Sequence, residues 1–401
     1  MNFKARLMIH ELLSGLTFGI FVAVQGMLIL EKGVEVWQIG LLFGTVVVAT
    51  AVFELPFGAL ADIHGRIKVY QFSRVFFILA IIGIIFASDF WLILVAMAIL
   101  GIAEALNSGT IDAWAVEQIK NRGEGKKLQS YISVFQSSIA AGLAIGAILG
   151  GYIPNIMPPL DNYPPTTWNL ILTATLGIIH LAVTPYLFYE GEVRAEVIDK
   201  KEITKQIGNA VKFSFTHPVV RDILFVGLFL GLAMISIEAY WQPQLMEIAG
   251  KPTYTLLGWA TAGYFAMAIV GPILVTKIGE WTNALPAVQL KVLPFILSLG
   301  MFVVASQTTI GPYLAAYMGL MLFISMFNAP GMTILNNEIT DDIRSTMQSI
   351  YSLVLRGGGA VSAFAFSVII KQWDIETAWR VIGVVILVFA IFRVFNARKS
   401  R

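Results

Sequence analysis

Three carboxylates interrupt long apolar runs of this chain: Glu54, Glu104 and Glu238. A carboxylate in hydrocarbon costs at least about 2.5 kcal/mol on insertion scales, so it normally faces a wet cavity or a partner. Away from bulk water a carboxyl group favours its neutral form, and the chemistry this permits is proton carriage. Glu104 is the first candidate for that role, because Asn107 and Ser108 follow at the three- and four-residue spacings that share its side of a helix. A hydrogen bond to a neighbouring helix would account for it equally. Glu54 lies one turn before Gly58 and suits either proton coupling or support of the turn that follows. Glu238 precedes Tyr240, Trp241 and Gln242, which fits a cation held against an aromatic wall or an interfacial acid beside an aromatic belt. Other chemistries have no residues to carry them. There is no cysteine, the four histidines at 10, 64, 180 and 217 show no ligand spacing, and no G-x-x-x-x-G-K-[ST] loop is present. No metal, no cofactor and no direct drive by ATP is expected.

The elements that must position these acids are membrane spans. The 401 residues are 57% hydrophobic and only 13% charged, with a mean hydropathy of +0.77, which leaves too little polar surface for a water-soluble protein of this length. A helix needs about 20 largely apolar residues to cross the hydrocarbon, because unpaired backbone groups are costly in lipid. Twelve such segments are predicted near residues 9–30, 38–58, 70–87, 91–114, 130–152, 168–189, 219–243, 255–277, 287–306, 311–334, 347–370 and 378–396. In this frame Glu104 sits about 20 Å along helix 4, slightly past the midplane.

Charge orients the twelve. With a cytoplasmic N-terminus, the outward loops hold only Lys32, Lys251, Lys371 and Arg380 of the 27 basic residues. The rest, including Lys4, Arg6, Arg66, Lys68, Lys120, Lys126, Lys127, Lys200, Lys201, Lys205, Arg398 and Arg401, fall inside or at inner helix ends, as the positive-inside rule asks. The formal charge of +2 therefore says nothing of nucleic acid, and the partners expected are the lipid bilayer, protons and a small-molecule substrate. The first apolar run lacks a small-residue cleavage site and reads as a retained helix. No N-x-[ST] sequon occurs, which fits a bacterial inner membrane with both termini in the cytoplasm. The longest polar stretch, residues 190–218, separates a first half (1–189) from a second (219–401). Within it Ile203, Ile207, Val211 and Phe215 recur every four residues, predicting an amphipathic helix on the inner membrane face.

Between the second and third apolar runs lie Gly58, Leu60, Ala61, Asp62, Gly65, Arg66 and Lys68. Gly58 and Gly65 permit close packing and a left-handed turn, and the Asp62 carboxylate can accept from Arg66 or from a helix N-terminus. This stretch resembles the loop after helix 2 of the major facilitator superfamily, with Ile63 where a basic residue is usual and Ile67 thinning the basic run. At an offset of 214 residues Gly65 aligns with Gly279, while Thr276 and Glu280 replace Asp62 and Arg66, a decayed second copy. Gly142, Gly146, Ala147, Gly150 and Gly151 likewise resemble the antiporter-type motif of helix 5, with Ala147 where that motif has proline. Small residues every four positions also serve close helix packing without any further role. The helix 4 arginine of many members is absent, since Met97 occupies its place.

The resemblance implies an all-α membrane protein with twelve transmembrane helices in two pseudo-symmetric six-helix bundles, working as a monomer by alternating access. It implies a gating cluster in which the Asp62 and Arg66 loop meets the start of helix 11 near Arg344, Ser345 and Thr346, with Asp112 or Glu117 completing the charges. It implies a cavity lined from helices 1, 4, 7 and 10, for which the candidates are Phe21, Gln25, Glu104, Asn107, Met234, Glu238, Trp241, Phe327 and Asn328. That mixture of aromatics, Met, amides and acids suits an amphipathic or cationic solute better than a sugar, and with the Gly-rich helix 5 the reading is proton-coupled efflux. An uptake symporter for a sugar or organic acid is the alternative within transport, and a non-transporting receptor or scaffold the alternative outside it; no enzymatic activity is expected.

Because the chain has no cysteine, single cysteines report its orientation directly. A membrane-impermeant maleimide should label Lys251→Cys in intact cells and Lys120→Cys only after permeabilisation; the opposite pattern inverts the topology.

Overall fold

The computed structural model describes residues 2–125, 128–188, 200–340 and 343–399. Among them there is no strand, and the helices in chain order are α1 (Phe3–Val22), α2 (Gln25–Glu31), α3 (Val36–His64), α4 (Arg66–Phe86), α5 (Phe90–Asn107), α6 (Ile111–Asn121), α7 (Leu128–Ile156) and α8 (Thr167–Leu187). There follow α9 (Lys200–Thr216), α10 (Pro218–Ala249), α11 (Tyr254–Thr282), α12 (Pro286–Val304), α13 (Ile310–Ser325), α14 (Asn328–Glu338), α15 (Arg344–Gln372) and α16 (Ile375–Lys399). Among the described residues, twelve helical spans are long and apolar enough to cross a membrane. Lys126, Lys127 and positions 190–199 of the polar linker lie outside the described residues.

Breaks within spans follow local chemistry. The fourth span is interrupted between α5 and α6, where Gly109 takes φ +67. The tenth is interrupted at Met326 and Phe327, between α13 and α14. Helix α3 continues through Gly58 and Asp62 to His64, so the stretch expected as a loop is helical. The turn is made by Gly65 alone, at φ +100, where an L side chain would be strained. Its N–H closes α3 on Ala61 O at 3.0 Å and its own carbonyl accepts from Val69 N–H at 3.1 Å to start α4. At the start of α15 the N-cap is Ile343, which makes no side-chain cap hydrogen bond.

The chain clusters into two compact units. Unit 1 comprises Met1–Glu35, Thr45–Glu196 and Lys251–Phe265; unit 2 comprises Val36–Gly44, Val197–Gly250 and Ala266–Arg401. In unit 1, α1 packs along α7 and against α8, and α4 packs between α5 and α8. A Cβ on Gly142, Gly146 or Gly150 would run into the carbonyls of Leu12, Leu16 and Ile20, and one on Gly15 or Gly19 into those of Ile139 and Leu143. Two glycine stripes thus face each other with backbones in contact, the arrangement by which helices associate in lipid, where burial of apolar surface drives nothing. Gly151 uses the same device against Gly258 of α11, at 2.8 Å from a Cβ to the facing Cα. Asn169 pins this seam by donating to Gly150 O at 2.8 Å and Ile20 O at 3.1 Å.

In unit 2 the pair α10 and α15 repeats the pattern, with Gly231 against Leu355 O and Gly358 against Leu228 O. Arg393 of α16 makes a bidentate pair with Asp222 of α10 at 2.7 and 2.6 Å and donates to Leu290 O of α12 at 2.8 Å, joining three helices. On α9, Val211 and Phe215 are exposed while Ala210 and Ser214 are buried, Ser214 against Met347 of α15, which leaves an apolar outer face.

A leucine at Gly146 must push α1 and α7 apart. Gly146→Leu should cost about 1–3 kcal/mol, lowering the thermal transition of the purified protein. Gly319→Leu, where a Cβ meets nothing within 4 Å, should leave it unchanged.

Candidate transport site

Two of the three intramembrane acids predicted from sequence are brought together. Gly101 lets α5 approach α3 so closely that a Cβ there would lie 2.5 Å from Val46 O. Along this contact the four-residue steps Thr50 to Glu54 and Glu104 to Ser108 run side by side. The buried Thr50 hydroxyl lies 3.3 Å from Glu104 Oε2, with Val46 O at 2.8 Å and Gly101 O at 3.2 Å as alternative acceptors. One turn on, the Ser108 hydroxyl donates to Glu54 Oε1 at 2.9 Å. Each acid therefore meets a hydroxyl on the facing helix, and both carboxylates are half-buried. A hydroxyl can donate to a carboxylate or rotate to accept from a carboxylic acid, so this ladder serves both protonation states. Asn107, beside Ser108, is exposed.

The remaining candidates have varied settings. Phe21 and Gln25 are buried in unit 1. In unit 2, Met234 and Glu238 are half-buried, Asn328 is exposed and Phe327 is buried. Trp241 is buried too, stacked on Tyr317 with ring centroids 4.7 Å apart, and its carbonyl accepts from Tyr313 at 2.8 Å, so one face of the ring is taken up by packing. Of the gating residues, Asp62 and Arg66 pair at 3.1 Å with both side chains partly exposed. Asp112 and Glu117 lie exposed on α6, Arg344 is exposed at the first turn of α15, and Gly58 sits within α3 with open space at its Cβ position. Among the described residues no cluster of His, Asp or Glu is arranged to hold a metal ion.

Several polar groups escaped the sequence reading. Glu31 accepts from both Tyr254 and Thr166, fastening the start of α11 within unit 1, and Asn155 adds a 2.9 Å bond to Thr255. Beside it Lys32 donates to Ile85 O at 2.9 Å and Ala87 O at 3.2 Å, and burial pushes its amine below the ordinary lysine range. Arg356 is a half-buried cation inside the apolar span of α15, and its signal, a lone arginine in such a run, was available. His10, Glu11, Tyr70 and His180 gather from three helices. Their separation in sequence hid them.

Comparison with known proteins agrees with this architecture. The chain is 24% identical over 379 residues to the uncharacterized MFS-type transporter YxaM of Bacillus subtilis (strain 168), covering 94% of this chain and 91% of that one. It is 25% identical over 390 residues to a D-xylose transporter of Levilactobacillus brevis, covering 85% of this chain and 81% of the relative. The crystal structure of the nucleoside transporter NupG superposes with a TM-score of 0.80 at 13% identity over the whole of both chains, a likeness of fold. Residues 7–343 match the Major Facilitator Superfamily. Twelve spans, paired glycine stripes and this match across most of the chain lead to one conclusion: the protein belongs to the Major Facilitator Superfamily and is a multi-pass secondary transporter.

Proposed function

We propose that the protein couples the movement of a small organic solute to protons, with Glu104 and Glu54 holding the proton. The observation that carries this reading is the ladder of Thr50 against Glu104 and Ser108 against Glu54. A carboxylate kept for structure alone would be cheaper in lipid as an amide or an apolar residue, whereas a half-buried acid facing a rotatable hydroxyl can change protonation state without losing its partner. Uptake of a metabolite is the favoured direction. The glycines of α7 that resemble an antiporter motif are accounted for by contact with α1 and α11, and a relative covering most of the chain bears the name of a sugar transporter.

In this reading residues 1–189 and 219–401 rock as two six-span halves about a central site, joined by 190–218, in a bacterial inner membrane with both termini cytoplasmic. The Asp62 and Arg66 pair, with Asp112, Glu117 and Arg344, biases one closed state. Proton binding at Glu104 shifts the population between states by its differential affinity for them. The working unit is the monomer.

Purified protein in liposomes with an internal pH dye tests this against sugars, organic acids and cationic amphiphiles. A sugar or organic acid should draw protons with it, and Glu104→Gln should reduce that flux about a hundredfold, equivalent to roughly 2.7 kcal/mol. Thr50→Val should retain flux with an altered pH profile. Flux with cationic amphiphiles alone would reverse the assigned direction to export, and undiminished flux in Glu104→Gln would remove that residue from coupling.

A further inference from the structure

A second group of ionisable side chains lies in unit 1, away from the Glu104 ladder. His10 and Glu11 of α1, Tyr70 of α4 and His180 of α8 are each at most 4% exposed. His10 Nδ1 stands 2.7 Å from Glu11 Oε1. The His10 and His180 rings meet edge to face with centroids 4.5 Å apart, and Tyr70 OH is 3.3 Å from His180 Nε2. Aromatic side chains of Phe188 and Trp114 close one side, 4.9 Å apart, with Phe188 at 4.9 Å from His10. Ionisable and polar groups near the pair include Arg74 of α4, whose guanidinium lies 5.0 Å over the Tyr70 ring; Asp112 of α6, which interacts electrostatically with Glu11; His180 of α8; and Ser14 of α1, hydrogen-bonded to Tyr70; on α7, Tyr131 is set against Phe3. Arg6 of α1 is turned toward Leu187 O at 3.5 Å, and Arg122 over the Phe3 ring at 4.3 Å.

At 2.7 Å a nitrogen and a carboxylate oxygen must share a proton, since two facing lone pairs would repel. With one further proton the pair is net neutral, as imidazolium with carboxylate or as imidazole with carboxylic acid, and neutrality is what a buried site favours. Releasing that proton leaves a single negative charge, next to a Tyr70 ring that carries the Arg74 guanidinium 5.0 Å above it. His10 Nε2 and His180 Nδ1 are buried with no protein partner, so two ring nitrogens remain to pass the proton on, and Tyr70 OH bridges toward the second ring.

From this geometry we infer that His10, Glu11, Tyr70 and His180 form a proton-binding centre holding one dissociable proton on the His10 and Glu11 pair, with Asp112 as its exposed outlet. The site exists whether or not Glu104 couples transport; its use in transport rests on the proton-coupled reading above.

Full-length protein in lipid nanodiscs, without substrate, tests the site by nitrogen NMR of labelled histidines together with infrared spectroscopy of the carboxyl band. The His10 nitrogen and Glu11 carboxyl signals should change together with pH, in one shared step. That step should be lost in Glu11→Gln, shifted in His180→Gln, and kept in Glu104→Gln. If the two signals of the wild-type pair do not move together, or if the His10 signal behaves identically in Glu11→Gln, the proposal fails, and the wild-type measurement decides even if a variant does not fold. Persistence of the step in Glu104→Gln separates this centre from the ladder, so failure of the transport reading leaves the site's test intact.

Discussion

Hydrocarbon offers no hydrogen bonds, so each polar atom that crosses it must be satisfied by the protein, and apolar surface gains nothing by being buried against a neighbouring helix. Both halves of that constraint are visible here. Backbone groups are paired within long helices. Helix association rests on facing glycines, Gly142 and Gly146 against Leu12 and Leu16 in one unit and Gly231 and Gly358 against Leu355 and Leu228 in the other. Polar side chains serve as pins across these seams: Asn169 on α1 and α7, Arg393 on Asp222 and Leu290, Tyr313 on Trp241.

Against that background the ionisable groups of unit 1 stand out. Glu104 and Glu54 face hydroxyls across the α3 and α5 seam, and His10 and Glu11 face Tyr70 and His180 where α1, α4 and α8 converge. A buried ionisable group is costly in hydrocarbon, so each of these side chains depends on the partners that face it. The helix breaks at Gly109 and at Met326 and Phe327 fall in the fourth and tenth spans. Freed backbone groups at such depth are tolerated where the surrounding protein or a wet cavity satisfies them.

The span count was legible because it depends on the length of apolar runs, a property of neighbouring residues. The turn at Gly65 was legible for the same reason, although α3 runs further than the charges of Asp62 and His64 suggested. The Glu104 candidate and its neighbour Ser108 were legible from helical spacing, and Glu54 as an acid in an apolar run, but that Thr50 and Glu54 face them from the next helix was not. The antiporter-like glycines were legible as a motif, while the contact that occupies them, Gly15 and Gly19 on a helix more than a hundred residues earlier, had no local signal.

By itself the sequence determined an all-α membrane protein of twelve spans, its family and the three acids inside apolar runs, because hydropathy and short motifs are read along the chain. Only the tertiary structure decided which of those acids share a site, that Trp241 and Phe327 are buried within unit 2, and that histidines 170 residues apart meet edge to face. Helix-to-helix register in lipid is chosen by the mutual fit of side chains from distant segments, and a single sequence carries no periodicity that encodes it.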